Sequence, residues 1–404
     1  MTAQDMQPVI LLSPPPTQQP RRKKSFHKLS RKLSNFSLRS AATTSPVPLS
    51  DTNELLHPNH AMQSDLLPPS PCSSSSSVYS FNVSGVTTPL TPSTSSSSRK
   101  SVDRLQEKYT NYKKGQVIGS GATAKLRLLE PISGGPVVAI KTFRKKSKDE
   151  TERGYDKRMT SEFCISKTLG HQHVIKVYDL LKDRKGRWCS VMEYCSGGDV
   201  FSILQQFDLS DAEMDCLFKQ LLLGLTHIHA SGVAHRDIKP ENLVMTERGI
   251  LKIADFGVAD VVQSCFESEP NLCKGQCGSE PYWPPELFKI ERHGDDDKEG
   301  YDGRAVDIWG AAVTWHCILY RRIPFFKACH EDPNWSEYLK VRKSRNWLPL
   351  SKCSEIEMDC LYGMFDPDPK TRWTAEQCLN SEWIKNISVC YESNEKHSHH
   401  TPST

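Results

Sequence analysis

The chain has no apolar run approaching the roughly twenty residues needed to cross a bilayer as a helix. Strong charge of either sign is also absent: 52 Lys and Arg against 48 Asp and Glu leave a net charge of only +4. That balance gives no reason to expect nucleic acid as a partner. The 14 cysteines are scattered, and no paired C-x-x-C knuckle is found among them. Free thiols of a reducing compartment are therefore expected rather than a disulfide framework. Cys265, Cys273 and Cys277 lie close together, but a zinc site there would need a fourth ligand. Near the start, Val9-Ile10-Leu11-Leu12 runs into Ser13-Pro14, too short for a signal-peptide core. These absences point to a cytoplasmic protein, soluble or peripheral at a membrane.

Aromatics are few in residues 1–108, where Pro14-Pro15-Pro16 and two serine runs (73–77 and 95–98) dominate. Such a segment buries too little apolar surface to offset its ordering entropy, so a disordered tail is expected. Ser-Pro or Thr-Pro pairs begin at Ser13, Ser45, Ser70, Thr88 and Thr91, each a candidate for proline-directed phosphorylation. Within the tail, residues 21–36 are dense in Arg and Lys. Phe26, Leu29, Leu33 and Phe36 recur there at helical spacing. A basic amphipathic helix of this kind suits the surface of an anionic membrane, each cation contributing ~1 kcal/mol near the headgroups. An import-like basic patch, a protein-docking site or a solvated run fits the same composition.

From residue 109 to 387 the pattern becomes globular, and 388–404 reads as a polar, solvated tail, in which His397, His399 and His400 are close enough to bind a metal weakly as the lesser alternative. The spacing predicts strands over 125–129, 137–140, 174–181 and 188–193, and helices over 159–169, 212–230 and 306–319. The architecture expected is α+β: a small β-rich lobe followed by a larger helical one.

Two stretches in the second lobe carry the chemistry. His235-Arg236-Asp237-Ile238-Lys239-Pro240-Glu241-Asn242 is followed, after a gap suited to a short hairpin, by Asp255-Phe256-Gly257. Upstream stand Gly119-Ser120-Gly121-Ala122-Thr123-Ala124 and Val138-Ala139-Ile140-Lys141. Together these resemble the motifs of a eukaryotic protein kinase. The resemblance implies ATP and Mg2+ as cofactors and Ser/Thr residues of proteins as acceptors, with Lys239 matching the serine/threonine branch. Asp237 is then expected to accept the acceptor hydroxyl's proton, and Asn242 and Asp255 to hold the metal. Ile118, Gly119, Ser120, Gly121, Ala124, Leu126 and Ala139 would line the nucleotide site, with Ala124 replacing the third glycine of the loop. Lys141 would contact the phosphates, oriented by Glu162, whose spacing to Leu169, His171 and Val174 fits better than that of Glu150 or Glu152. Met192 would be the gatekeeper, Glu193 and Cys195 the adenine hinge, and Asp199 the ribose contact. Glu241 and Glu280 favour targets flanked by basic residues.

Gly278-Ser279-Glu280-Pro281-Tyr282-Trp283-Pro284-Pro285-Glu286 resembles the peptide-docking end of an activation segment. Ser279 would help position Asp237 and Lys239, and Glu286 would pair with Arg372. Two departures bear on regulation. Gly275 stands where many kinases carry a phosphorylatable Ser or Thr, which would leave Arg236 without its phosphate partner; Ser264 and Ser268 remain as other candidate sites. Ser166 replaces an apolar residue toward Phe256, which would loosen the Glu162 helix. The runs 160–165, 192–199, 233–237 and 274–282 are more specific still. They are similar to the fungal halotolerance and nitrogen-permease-reactivator kinases, implying a role in regulating plasma-membrane transporters and ion or nutrient homeostasis. A monomer is expected, with a partner-binding scaffold as the rival reading.

Overall fold

A computed structural model describes residues 105–401, apart from 122, 149, 265, 293–299 and 393–398. The serine-rich tail and the basic segment 21–36 lie outside the described residues, as do Cys265 and His397.

The first lobe is a five-stranded antiparallel sheet in the order β1-β2-β3-β5-β4. Its strands are β1 (Tyr112–Ser120), β2 (Ala124–Pro131), β3 (Val138–Phe143), β4 (Val177–Lys182) and β5 (Trp188–Glu193). Register decides which side chains face the second lobe. Lys141 lies opposite Leu126 on one side and Ser190 on the other, and Ala139 opposite Leu128 and Met192. Residues directly opposed in a ladder share a face, so this alternate row forms the cleft side. Ile140 points the other way, into a cluster with Leu129, Val138, Leu181 and Val191. Leu105 of a short helix, α1 (Leu105–Lys108), joins that cluster. The globular unit therefore includes residues ahead of 109.

The helix expected over 159–169 is longer, α2 (Glu152–Thr168), because Thr151 caps its first turn by accepting from the Gly154 N–H at 3.1 Å. Only Tyr155, Met159 and Ser166 are buried along it, so hydrophobic periodicity carried little signal for the first turns. Strand β4 begins at Val177 rather than 174. Val174 instead makes a parallel bridge to Ile253 in the second lobe.

The second lobe is built on α4 (Asp211–Ala230), preceded by α3 (Val200–Gln206). Ser210 and Glu213 close a capping box at the start of α4. Leu217, Phe218, Leu221, Leu222, Leu225 and Ile228 bury its inner face at 0–2% exposure. After β6 (Val233–Ala234), the hairpin β7 (Leu243–Met245) and β8 (Leu251–Ile253) brings the end of the catalytic loop beside Asp255. The Ala254 N–H donates to the Asn242 carbonyl at 2.8 Å. Strand β9 (Asp260–Val261) pairs back with β6, and α5 (Pro285–Arg292) follows the activation segment. Helix α6 (Gly303–Tyr320) is buried on nearly every side and runs through the centre of the lobe. Its Trp309 packs edge-on against Phe365 and Trp335, within an aromatic group centred on Phe325. Helices α7 (Pro333–Val341), α8 (Glu355–Met364), α9 (Ala375–Leu379) and α10 (Glu382–Asn386) complete it.

The solvated tail expected from 388 is corrected for its described part. Val389 and Cys390 are buried, the Tyr391 hydroxyl meets His173 Nε2 at 2.7 Å, and His400 bonds Glu213 of α4 at 2.8 Å through both its N–H and its ring. Polar composition hid this, because the anchors are single side chains with no periodicity.

Asp215 on α4 bonds Trp383 beneath the lobe. Burial, reinforced by Glu357, raises its carboxyl from 3.8 to about 6. The folded chain thus prefers the protonated acid: its stabilising contribution is whole below the ordinary value and is lost as pH rises through 6. Asp215→Asn should therefore raise the thermal midpoint at pH 7.5 and give a smaller gain at pH 4.5. Melting curves at the two values check this, and an equal shift at both would contradict it.

Candidate active site

Between the lobes lies a cleft of about 820 Å³. Each residue expected to touch a nucleotide, from Ile118 on β1 to Asp255 after β8, lines it. Asp237 and Lys239 do not; they sit at its edge and connect to it through Asn242. The phosphate loop is pinned from outside, with the Gly121 N–H donating to the Ala124 carbonyl at 2.9 Å and Arg144 donating to the Gly121 carbonyl at 2.9 Å. A Cβ added at Gly119 or Gly121 would meet only ordinary contacts, at 3.5 and 3.8 Å. The fold therefore does not demand glycine at these positions; a backbone that must come close to phosphate does.

Lys141 Nζ donates to Glu162 Oε1 at 2.8 Å and to Asp255 Oδ1 at 2.7 Å. Burial alone would lower the ammonium's pKa, but Asp255 and Glu162 together raise it above the ordinary lysine value. The two acids diverge. The charge of Lys141 holds Asp255 well below the usual carboxylate range, whereas burial pushes Glu162 up despite the same lysine. Glu152 takes no part, and Glu150 pairs with Arg158 at 3.1 Å, away from the lysine.

The catalytic loop forms a second cluster. Lys239 Nζ donates to Asp237 Oδ2 and to Ser279 Oγ, both at 2.7 Å. The Asn242 amide donates to the Asp237 carbonyl at 2.8 Å and to Oδ2 at 3.0 Å. Asp237 Oδ1 is buried with no hydrogen-bond partner, so one oxygen of the carboxylate retains its full capacity to accept. A buried acceptor left unmet costs stability. The donor set of Asp255 and Asn242, a carboxylate and an amide flanking the cleft, fits a hard divalent cation. Arg236 and Asp255 adopt left-handed backbone, φ +65° and +66°, strain of the kind that collects at active sites.

Other expectations resolve in detail. Phe256 is buried and packs edge-on against His235 at 4.8 Å. Glu193 turns its carboxylate to the Lys176 N–H (2.6 Å) and Lys252 (3.0 Å), leaving only its backbone for the hinge. Burial pushes the Cys195 thiol to about 12, making it an inert wall. Asp199 caps α3, with its two oxygens bonded to the Ser202 N–H and hydroxyl at 2.7 Å. The Ser166 hydroxyl donates to the Glu162 carbonyl at 2.7 Å and so is satisfied within the helix. Glu286 and Arg372 pair in two bonds of 2.7 and 2.9 Å. Glu241 keeps a buried, unpartnered Oε2, but Glu280 is already held by Lys327 at 2.9 Å. Among the described cysteines near the activation segment, Cys273 and Cys277 do not form part of a metal-ligand cluster.

Arg236, expected to be without a phosphate partner, is engaged by other groups. Its Nε donates to the Val258 carbonyl at 2.8 Å and its guanidinium to the Tyr301 hydroxyl at 3.2 Å. That hydroxyl in turn donates to the Gly275 carbonyl at 2.9 Å, and paired backbone bonds tie Tyr301 to Cys273. Tyr301 thus links Arg236 to the position of the missing phosphorylation site. Sequence reading overlooked it because the link is spatial, across 26 residues.

The lobes, the shared lysine and the Asp237–Lys239–Asn242 group define a bilobal domain arranged for phosphoryl transfer from a nucleotide with a divalent metal. The protein kinase domain family matches residues 112–384, and the chain belongs to that family. It is similar to the serine/threonine-protein kinase HAL4/SAT4 of Saccharomyces cerevisiae, 37% identical over 68% of this chain and 46% of that protein. It is also similar to the serine/threonine-protein kinase hal4 of Schizosaccharomyces pombe (39%, over 69% and 44%). The nitrogen permease reactivator protein of Saccharomyces cerevisiae is 32% identical over 69% of this chain and 41% of its own length. The matched region spans less than half the length of each of these relatives.

Tyr301→Phe removes the hydroxyl while keeping the ring. A net hydrogen bond contributes about 1 kcal/mol, so kcat should fall by roughly fivefold, with KM for ATP nearly unchanged and the fold intact. Steady-state kinetics beside a melting curve check this; unchanged kcat would remove Tyr301 from the positioning of the segment.

Proposed function

We propose that this chain is a serine/threonine protein kinase that transfers the γ-phosphoryl of ATP, with Mg2+, to protein hydroxyls. The observation that carries the reading is Asp237: one oxygen fixed by Lys239 and Asn242, the other buried and free to accept, beside a peptide platform ending in the Glu286–Arg372 pair. In the reaction the acceptor oxygen bonds to the γ-phosphorus and the bond to the β,γ-bridging oxygen breaks. The hydroxyl proton passes to Asp237 Oδ1, and ADP leaves. Lys239, held by Ser279, offers positive charge beside the transferring group, and Lys141 orients the α- and β-phosphates. Asn242 and Asp255 would hold the metal, which neutralises phosphate charge when bound. Glu241, with its unpartnered oxygen, favours a basic residue flanking the target. Glu280 contributes to that preference only after releasing Lys327.

The cellular reading is regulation of plasma-membrane transporters, and through them of ion or nutrient balance, by a cytoplasmic monomer that reaches the membrane through residues 21–36. Its support is the likeness to relatives whose names include a permease reactivator and the basic, amphipathic spacing of that segment.

Phosphate transfer from Mg–ATP to an arrayed peptide library tests the chemistry. The chain should phosphorylate Ser/Thr peptides, with basic flanks preferred; Asp255→Ala and Asp237→Asn should lower transfer by roughly a hundred- to a thousandfold, the scale of a lost catalytic group. ATP binding without transfer, with partner binding intact in Asp237→Asn, would favour a scaffold. For the membrane contact, cosedimentation of the full chain with phosphatidylserine vesicles should weaken on raising salt and fall sharply when Lys23, Lys24, Lys28 and Lys32 become Gln; equal binding to neutral vesicles would contradict it.

A further inference from the structure

The segment after α10 crosses the side of α4 away from the nucleotide cleft, and Cys216, Cys390 and His399 all lie outside the lining of that cleft. Cys390 and Val389 pack against Cys216 and Leu223. Several groups converge on the Cys216 sulfur, the Cys390 thiol among them. The Cys390 N–H donates to it at 3.4 Å, the Gln220 amide at 3.2 Å, and His399 bonds it with its ring. The same Gln220 amide also reaches Cys390 Sγ at 3.9 Å. Donors gathered about one buried sulfur are the outer partners that a metal-bound thiolate commonly has. The two sulfurs and a ring nitrogen of His399 lie within 4.8 Å of one another.

The chain is shaped to admit the imidazole. Gly249, in the turn between β7 and β8, has φ +76°, and a Cβ there would collide with the His399 ring. Its carbonyl accepts from Gln220 at 3.1 Å and from Cys390 Sγ at 3.7 Å. Gln220 Oε1 accepts from the Leu251 N–H at 2.8 Å. An outer layer of this kind orients ligands about an ion.

We propose that Cys216, Cys390 and His399 form a zinc site that fastens the C-terminal segment to α4. Two thiolates and one imidazole are the donors zinc prefers among available divalent ions. Zinc–sulfur bonds of ~2.3 Å and zinc–nitrogen bonds of ~2.0 Å put tetrahedral ligand atoms roughly 3.3–3.8 Å apart. About an ångström of side-chain adjustment therefore closes the site, with water in the fourth position. Binding displaces the thiol protons to solvent. The ion would join residues 174 positions apart and abut the turn of the hairpin that carries Asn242 at one end and Asp255 beyond the other.

The test uses the full chain, purified with reduced thiols. Elemental analysis should find one zinc per chain, and Co2+ substituted for it should give the intense visible absorption of a tetrahedral thiolate site. Cys216→Ser, Cys390→Ser and His399→Gln should each weaken metal binding at least tenfold, while Cys164→Ser, an exposed thiol, should not. Should a ligand variant fail to fold, iodoacetamide labelling of the wild-type chain decides: zinc should slow alkylation of Cys216 and Cys390 selectively. The proposal is overturned if the folded chain takes up no stoichiometric zinc or cobalt. Metal retained by all three variants, or a Cys216–Cys390 disulfide in the metal-replete protein, would overturn it equally.

Discussion

The catalytic geometry hangs on one buried carboxylate. Asp307, on α6 and 1% exposed, accepts from the His235 N–H at 2.8 Å and the Arg236 N–H at 2.6 Å, and also meets His229 at 2.9 Å. Those bonds hold Arg236 in left-handed backbone, a conformation that costs a residue with a Cβ roughly 1–2 kcal/mol. The turn at Arg236 aims Asp237 toward the cleft, and from Asp237 the bonds to Lys239, Asn242 and Ser279 extend in sequence. Because α6 is buried on nearly every side, the carboxylate is fixed by the packing of a whole lobe. The precision of the loop is borrowed from the aromatic core behind it.

The first lobe is tied to this frame across the cleft, with Val174 bridging Ile253 and Glu193 pairing with Lys252. Lys141 spans from β3 to Glu162 on α2 and Asp255 below, so a single ammonium reports whether sheet, helix and second lobe are aligned. Opposed pushes on the two acids follow from where they sit: Glu162 loses its water to the helix and sheet, while Asp255 remains half open to the cleft, at 51% side-chain exposure. An arriving cation would find Asp255 already ionised.

Much of this was legible in the sequence. Motif order and spacing gave the charged residues, and alternation or helical periodicity gave β5, α4 and α6 nearly to the residue. What the sequence concealed lay in three physical situations. Helix α2 is polar on most of its surface, so its start was set by the Thr151 cap rather than by periodicity. Anchors of the C-terminal segment are isolated side chains, Tyr391, His399 and His400, whose partners His173, Cys216 and Glu213 lie far away in the chain. And Glu280, read as a surface acid waiting for a substrate, is matched by Lys327 from a loop that no local pattern connects to it. Pairings across long separations leave no periodic trace.

The Tyr301 hydroxyl occupies the bond that a phosphate would otherwise make to Arg236. A phosphate is written and erased by other enzymes, and so gives a segment a history; a side chain is present from synthesis onward. A catalytic segment clamped by its own tyrosine carries no memory at that position. Control written as phosphate would have to fall elsewhere in the segment.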